Sequence, residues 1–313
     1  MIFKQKTACP AMLLSVLLGL VFIFSAYTKL YPIEPFEYTF VEFGISNWQF
    51  SGIVARLFIG FEFACGVLLL FNLWLKRFTI PLVVLVLVLF NVYLAIQLFK
   101  FGNQGNCGCF GEFFHFTPLE GILKNVVMLV AAAFIYRFHQ GFIFRKIGLV
   151  TGALAVVALV LPFILNPVDL QASENNYSGK LNYKLPLVLL YEDANNQPPK
   201  VELRQGKWII AFFSLTCPHC KIAAKKMQVM KLKNPALPVH MVLNGEDENL
   251  QPFFENTRAS GISWSMFTGA DKFMKMAGAS LPQIFWVNNG VVENKSSYFT
   301  LNQDEIENWL EQP

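Results

Sequence analysis

Five apolar runs dominate the first 166 residues, each close to or above the roughly 20 residues needed to cross a bilayer. They extend from about Met12 to Leu30, Phe50 to Leu75, Ile80 to Phe99, Leu119 to Tyr136 and Ile147 to Leu165. Lipid offers no hydrogen bonds, so a run of this length must pair its own backbone, and a helix does that. Composition agrees: 54% of residues are hydrophobic and only 15% charged, which is too apolar for an ordinary soluble domain. Lys4 and Lys6 precede the first run as they would in a signal peptide. The sequence after it, "AYTKLYP", is a poor cleavage site, so a retained helix is expected.

Basic residues orient the runs. Lys76 and Arg77 lie between the second and third, and Arg137, Arg145 and Lys146 between the fourth and fifth. With Lys4 and Lys6 they mark the cytoplasmic side. The opposite ends are acidic or mixed, with Glu34, Glu37 and Glu42, then Lys100 and Glu112, then Asp169 and Glu174. The expected protein is multi-pass in a bacterial inner membrane, its N-terminus cytoplasmic and everything after residue 166 in the periplasm. Lipid is then a constant partner. A net charge of +4 with no basic tract gives nucleic-acid binding no support.

Near Asn166 the composition changes. Residues 167–184 are polar with turn formers and read as a linker. As a flexible coil, a linker of about 18 residues reaches roughly 20–25 Å root-mean-square. Residues 185–313 alternate β-rich and helical runs, the pattern of an α/β domain. Asn302 with Glu305 three positions on is an N-cap signature for a closing helix.

Within this half, "FFSLTCPHCK" places a CxxC where an apolar strand gives way to a helix. Cys217 would stand at the helix N-terminus, where free N–H groups and the dipole stabilise a thiolate. His219 adds positive character, and Cys220, one turn on, can resolve a mixed disulfide. A structural zinc half-site would need two more ligands, and none is arranged locally. No metal is expected.

The strand–CPHC–helix and the later "SLPQIFWV" together resemble thioredoxin-fold proteins, the dipeptide being similar to that of the oxidising DsbA type within a wider TlpA/DsbA-like group. The resemblance implies that Pro282 is cis and lies beside the active-site cysteines. One position departs from it: the buried acid those families carry six residues before the first cysteine is Ala211 here.

In the membrane half, "GLVFIFSAYTKL", "RLFIGFEFACGVLLLF" and "NCGCFGE" together resemble the MauE/DoxX membrane proteins over residues 10 to 137. That resemblance implies a four-helix domain, taken as residues 1–140, with residues 141–166 as a fifth membrane helix. MauE-type members are implicated in maturing disulfide-containing envelope enzymes. The layout is also similar to bacterial fusions of a vitamin K epoxide reductase-like domain with a thioredoxin domain, although the embedded CxxC of those proteins is missing. The fold class expected is therefore a membrane helix bundle followed by a thioredoxin-like α/β domain.

Cys107 and Cys109 flank one glycine. A disulfide between them would be small, strained and oxidising, eased by Gly105, Gly108 and Gly111. The alternative is a pair of reduced thiols packed in a tight loop. Glu62 near mid-span and Arg56 are costly at membrane depth. They are candidates for a proton relay or a quinone pocket, or else for a buried pairing of Glu62 with Arg56, Lys124 or Asn91. Cys65 reads as a small core residue. Cys9 has no near partner, and His115 is thin ground for a metal site.

The expected function is a membrane-anchored thiol–disulfide oxidoreductase acting on envelope proteins with thiols or disulfides. Cys217/Cys220 would exchange electrons with Cys107/Cys109, and a quinone is a candidate acceptor although no motif binds one. A non-catalytic anchor that presents the thioredoxin-like module, and a reductase fed from inside, are the alternatives.

Overall fold

A computed structural model describes residues 8–168, 181–194, 196–278 and 280–312. Lys4, Lys6, Asp169, Glu174 and most of the expected linker lie outside the described residues. The chain divides into two units, Met1–Val168 and Asp169–Pro313.

The first unit contains α1 (Ala8–Leu30), α2 (Glu34–Glu42), α3 (Ser51–Leu70), α4 (Ile80–Phe101), α5 (Pro118–Phe138) and α6 (Ile147–Leu165). All but α2 are long and apolar enough to span a membrane. Helix α2 occupies a stretch that the sequence suggested only as an acidic loop. Pro35 in its first turn and Glu34 and Glu37 facing the dipole favour the helix, and Phe36, Phe40 and Val41 bury its inner face. The second span stops at Leu70 and not at Leu75, because Asn72 and Trp74 turn the chain with φ of 52° and 44°. One π-helical turn, Leu75–Thr79, then leads into α4.

Small residues let the helix backbones touch. A Cβ on Gly19 of α1 would lie 2.8 Å from the Gly66 carbonyl of α3, and one on Gly60 of α3 would lie 2.8 Å from Leu159 Cα of α6. Helix α3 is thus held between α1 and α6, and Ala158 of α6 shares a core with Ile59 and Phe63. On α4, Leu85, Leu89, Val92 and Ile96 are exposed at helical spacing, an apolar stripe suited to lipid.

The second unit contains β1 (Tyr183–Lys184), α7 (Val188–Glu192), β2 (Lys207–Ser214), α8 (Pro218–Lys233), β3 (Val239–Asn244), α9 (Leu250–Thr257), β4 (Ser263–Met266), α10 (Ala270–Ala277), β5 (Gln283–Asn288), β6 (Val291–Ser296) and α11 (Gln303–Glu311). The sheet order is β1-β6-β5-β2-β3-β4. Strand β2 runs parallel to β3 and antiparallel to β5. Its residues Ile209 to Phe213 are all buried, as a central strand covered on both faces requires. Asn289 and Gly290, with φ of 49° and 81°, close the β5–β6 hairpin. Asn302 Oδ1 accepts from the N–H groups of Asp304 and Glu305 and caps α11. The β2-α8-β3 crossover followed by β5-β6-α11 is a thioredoxin-like arrangement.

Candidate functional site

In the soluble unit, β2 delivers the CPHC segment to the start of α8. Cys217 is the N-cap, with extended φ and ψ of −72° and 121°, and Pro218 opens the first turn. Lys231 and Lys233 close the last turn, so charge complements the dipole at that end. The Cys217 thiol is pushed down to about 6. The hydrogen bond from the Cys220 thiol contributes most, opposed by desolvation and assisted by the backbone N–H groups of Cys220 and His219 and by the His219 charge. Cys220 is fully buried, and its thiol is held far above the ordinary range by donating to Cys217 and by burial. The His219 ring stacks on Tyr298, centroids 5.1 Å apart and planes 23° apart. Lys226 Nζ donates to the carbonyls of Tyr298 and Phe299 at 3.2 and 3.3 Å, tying that loop to α8.

Strand register brings the proline loop to the same end. Phe212 of β2 pairs with Gln283 of β5, so Pro282 falls opposite the exit of β2 toward Cys217. The Leu281–Pro282 peptide is cis. Ala211 is fully buried between Met241 and Ile284, an apolar slot where related folds carry an acid.

In the membrane unit, Cys107 and Cys109 lie in the loop between α4 and α5, at 2% and 4% exposure. Both are free thiols within hydrogen-bonding reach of each other. The loop is seated by Cys107 N–H donating to Phe116 O at 2.7 Å and by Asn106 Nδ2 donating to Gly111 O at 2.8 Å. Gly111, at φ 56°, lies so close to α1 that a Cβ there would be 2.2 Å from Thr28 O. A capping box between Thr117 and Glu120 fixes the start of α5. One turn on, the space a Cβ would take at Gly121 lies 3.2 Å from both sulfurs. The Cys109 thiol is pushed down, chiefly by the hydrogen bond from Cys107 and, against desolvation, by Lys124 and Lys29. The Cys107 thiol is pushed up correspondingly.

Behind Cys109, Lys29 is 1% exposed and forms an ion pair with Glu62 at 2.8 Å to each carboxylate oxygen. It also donates to Ser25 Oγ at 2.7 Å, and Ser25 Oγ donates to Cys109 O at 2.8 Å. Glu62 therefore pairs with none of Arg56, Lys124 or Asn91. Asn91 accepts instead from Asn125, and Lys124 lies over the Phe110 ring. Arg56 belongs to another cluster, where its five donors meet Glu37 Oε1, Gly52 O, Asn166 O, Asn166 Oδ1 and Pro167 O. The guanidinium clamps the end of the fifth span to α2 and α3. Sequence reasoning missed Lys29, Ser25 and Gly121. The available signal was an opposite charge on each of two consecutive spans.

A cavity of about 20 Å³ lies among Ser25, Lys29, Glu62, Cys109, Lys124 and Asn125. That is room for about one water molecule. Cys65 is fully buried and Cys9 exposed. His115 faces Glu112 at 3.7 Å, and among the described residues no group of three or more His, Cys, Asp or Glu is placed to hold a metal.

Residues 7–138 match the family described as methylamine utilisation protein MauE. This part of the chain is similar to the MauE membrane proteins. Protein TlpB of Flavobacterium psychrophilum is 26% identical over 302 residues, covering 82% of each chain. Among solved structures, a secreted Mycobacterium tuberculosis disulfide oxidoreductase homologous to E. coli DsbE aligns with 34% of this chain and 80% of its own, at 18% identity and a TM-score of 0.26.

Proposed function

We propose that the protein is a membrane-anchored thiol–disulfide oxidoreductase. The observation that carries this reading is the asymmetry of the CPHC pair: an N-cap thiol held as a thiolate and a buried partner that keeps its proton. Cys217 is the exchanging sulfur and Cys220 the resolving one. In the oxidising direction, a substrate thiolate attacks Cys217 of the disulfide and Cys220 leaves as a thiolate that takes up a proton. A second substrate thiolate then attacks the mixed disulfide at its substrate sulfur, releasing Cys217. The substrate has lost two electrons and the CPHC pair has gained them. A stabilised Cys217 thiolate favours the reduced pair, which supports an oxidant acting on thiol-bearing envelope proteins.

Cys107/Cys109 is the second dithiol of the path. Reduced Cys217/Cys220 passes its electrons to a Cys107–Cys109 disulfide by the same exchange. The five spans and the basic residues at one end of them support an extracytoplasmic site for both pairs, with the N-terminus inside. Trapping tests the relay. With Cys107→Ser and Cys220→Ser in the full chain, oxidation is expected to give a disulfide between Cys217 and Cys109. A folded protein that never forms it refutes the relay. The burial of Cys107 and Cys109 favours a second reading, in which they only pack the loop. Under that reading Cys107→Ser with Cys109→Ser leaves client oxidation intact.

A further inference from the structure

The Lys29–Glu62 pair has a position that packing alone does not account for. Taking two charges out of water costs several kcal/mol per ion, and apolar residues of similar volume commonly serve stability as well. Here the pair lies within one small cavity of a thiol. Lys29 stands in the last turn of α1, and helical side chains lean toward the N-terminus. Its ammonium therefore reaches back to Ser25 and sits one turn deeper than its own Cα. All three ammonium hydrogens are used, two on Glu62 and one on Ser25. The Ser25 hydroxyl hydrogen has a nearer acceptor in Cys109 O at 2.8 Å than in Glu62 Oε1 at 3.4 Å. The ammonium thus donates two ways, to the carboxylate and to the hydroxyl, and the second branch runs head to tail from ammonium to hydroxyl to the Cys109 carbonyl. Aligned bonds of this kind polarise one another in a low dielectric.

Charged and titratable groups reach Cys109 from several elements: Lys29 on α1, Glu62 on α3, Lys124 on α5 and Cys107 on its own loop. Helix α4 contributes only Leu87 and Phe90 to the cavity. Lys29 and Lys124 favour a charged Cys109, and Glu62 opposes it.

We propose that Lys29 and Glu62 are positioning residues that set the charge carried by Cys109, Lys29 promoting the thiolate and Glu62 limiting it. The pair is a buried electrostatic control on the membrane dithiol, and Ser25 couples it to the loop that carries the sulfur. This deepens the reading of Cys107/Cys109 as a redox pair and rests on it for biological meaning. Its test does not involve Cys217.

The test uses the full chain in detergent with Cys9→Ser, Cys65→Ala, Cys217→Ser and Cys220→Ser, leaving Cys107 and Cys109. Thiolate formation is followed by ultraviolet absorbance across pH, a readout that needs no reagent to reach the buried sulfurs. Lys29→Met is expected to raise the midpoint, leaving about tenfold less thiolate at a pH below it. Glu62→Gln is expected to move it the opposite way. The double variant should return to within a few-fold of the parent, and Lys29→Arg should hold the parental midpoint. Shifts of the same sign for Lys29→Met and Glu62→Gln, or no shift in either, overturn the proposal. If Lys29→Met does not fold, Glu62→Gln must lower the midpoint and the double variant bring it back, and a Glu62→Gln midpoint that stays or rises overturns the proposal. A failed Cys217–Cys109 cross-link with these opposite shifts intact would sink the relay and leave the electrostatic control standing.

Discussion

The Cys217 thiol offers a quantitative check on the chemistry of the soluble unit. Its value of about 6 stands against 9.0 for an unperturbed cysteine. At pH 5 about a tenth of Cys217 is thiolate, against about one part in ten thousand of the reference thiol, a ratio near 900. Nucleophilicity falls with basicity, with a Brønsted slope of about 0.4–0.5, so three units cost roughly 20-fold. Cys217 should then react with iodoacetamide about 45-fold faster than a free cysteine at pH 5, and about 5-fold faster at pH 7. At pH 9 Cys217 is fully ionised and the reference thiol half ionised, so the order reverses and Cys217 is about tenfold slower. The sign follows from a lowered value: the thiolate is present above about 6 and is lost as pH falls through it. The assay is the second-order alkylation rate from pH 4 to 9, in the full chain with Cys217 and Cys220 as the only cysteines and the site of labelling read by mass. Cys220→Ala removes the largest cause and should move the midpoint upward. A profile that keeps rising to pH 9, with no crossing of the free-thiol curve, would refute the N-cap thiolate and the oxidant reading with it.

Two further outcomes follow from the membrane unit. Gly111→Ala puts a Cβ against Thr28 O at a backbone angle that disfavours a side chain, so the loop should lift and native-state alkylation of Cys107 and Cys109 should rise at least tenfold; Gly108→Ala meets open space and costs only the left-handed penalty of about 1–2 kcal/mol. Arg56→Met strands Glu37 and the carbonyls at the end of the fifth span, so thermal unfolding in detergent should show a loss of about 3 kcal/mol, while the thiolate midpoint of Cys109 stays where it was.

The parts of this protein that are legible in its sequence are those whose cause is local. A membrane span is written in one continuous apolar run, and only its ends depend on detail. The second span stops at Leu70 because Asn72 and Trp74 turn, and neither residue is a strong breaker in isolation. The CPHC site is equally local, since strand, N-cap, proline and helix follow one another within 27 residues, Lys207 to Lys233. Glu62 and Arg56 both stand out as costly, but the residue types do not say which partner each one takes. Lys29 shows why. In the sequence it is a basic residue at the end of a span, where lysines ordinarily extend to the interface. Its burial is decided by the close approach of α1 and α3 at Gly19 and Gly66 and by the loop that Gly111 lets settle on Thr28. Those contacts join residues dozens of positions apart, and no periodicity records them. The same glycines that seat the CGC loop on α1 therefore close the wall around the ammonium. On this account Gly111→Ala and Lys29→Met should be coupled in their effect on the Cys109 midpoint, because lifting the loop removes the enclosure that gives the charge its reach.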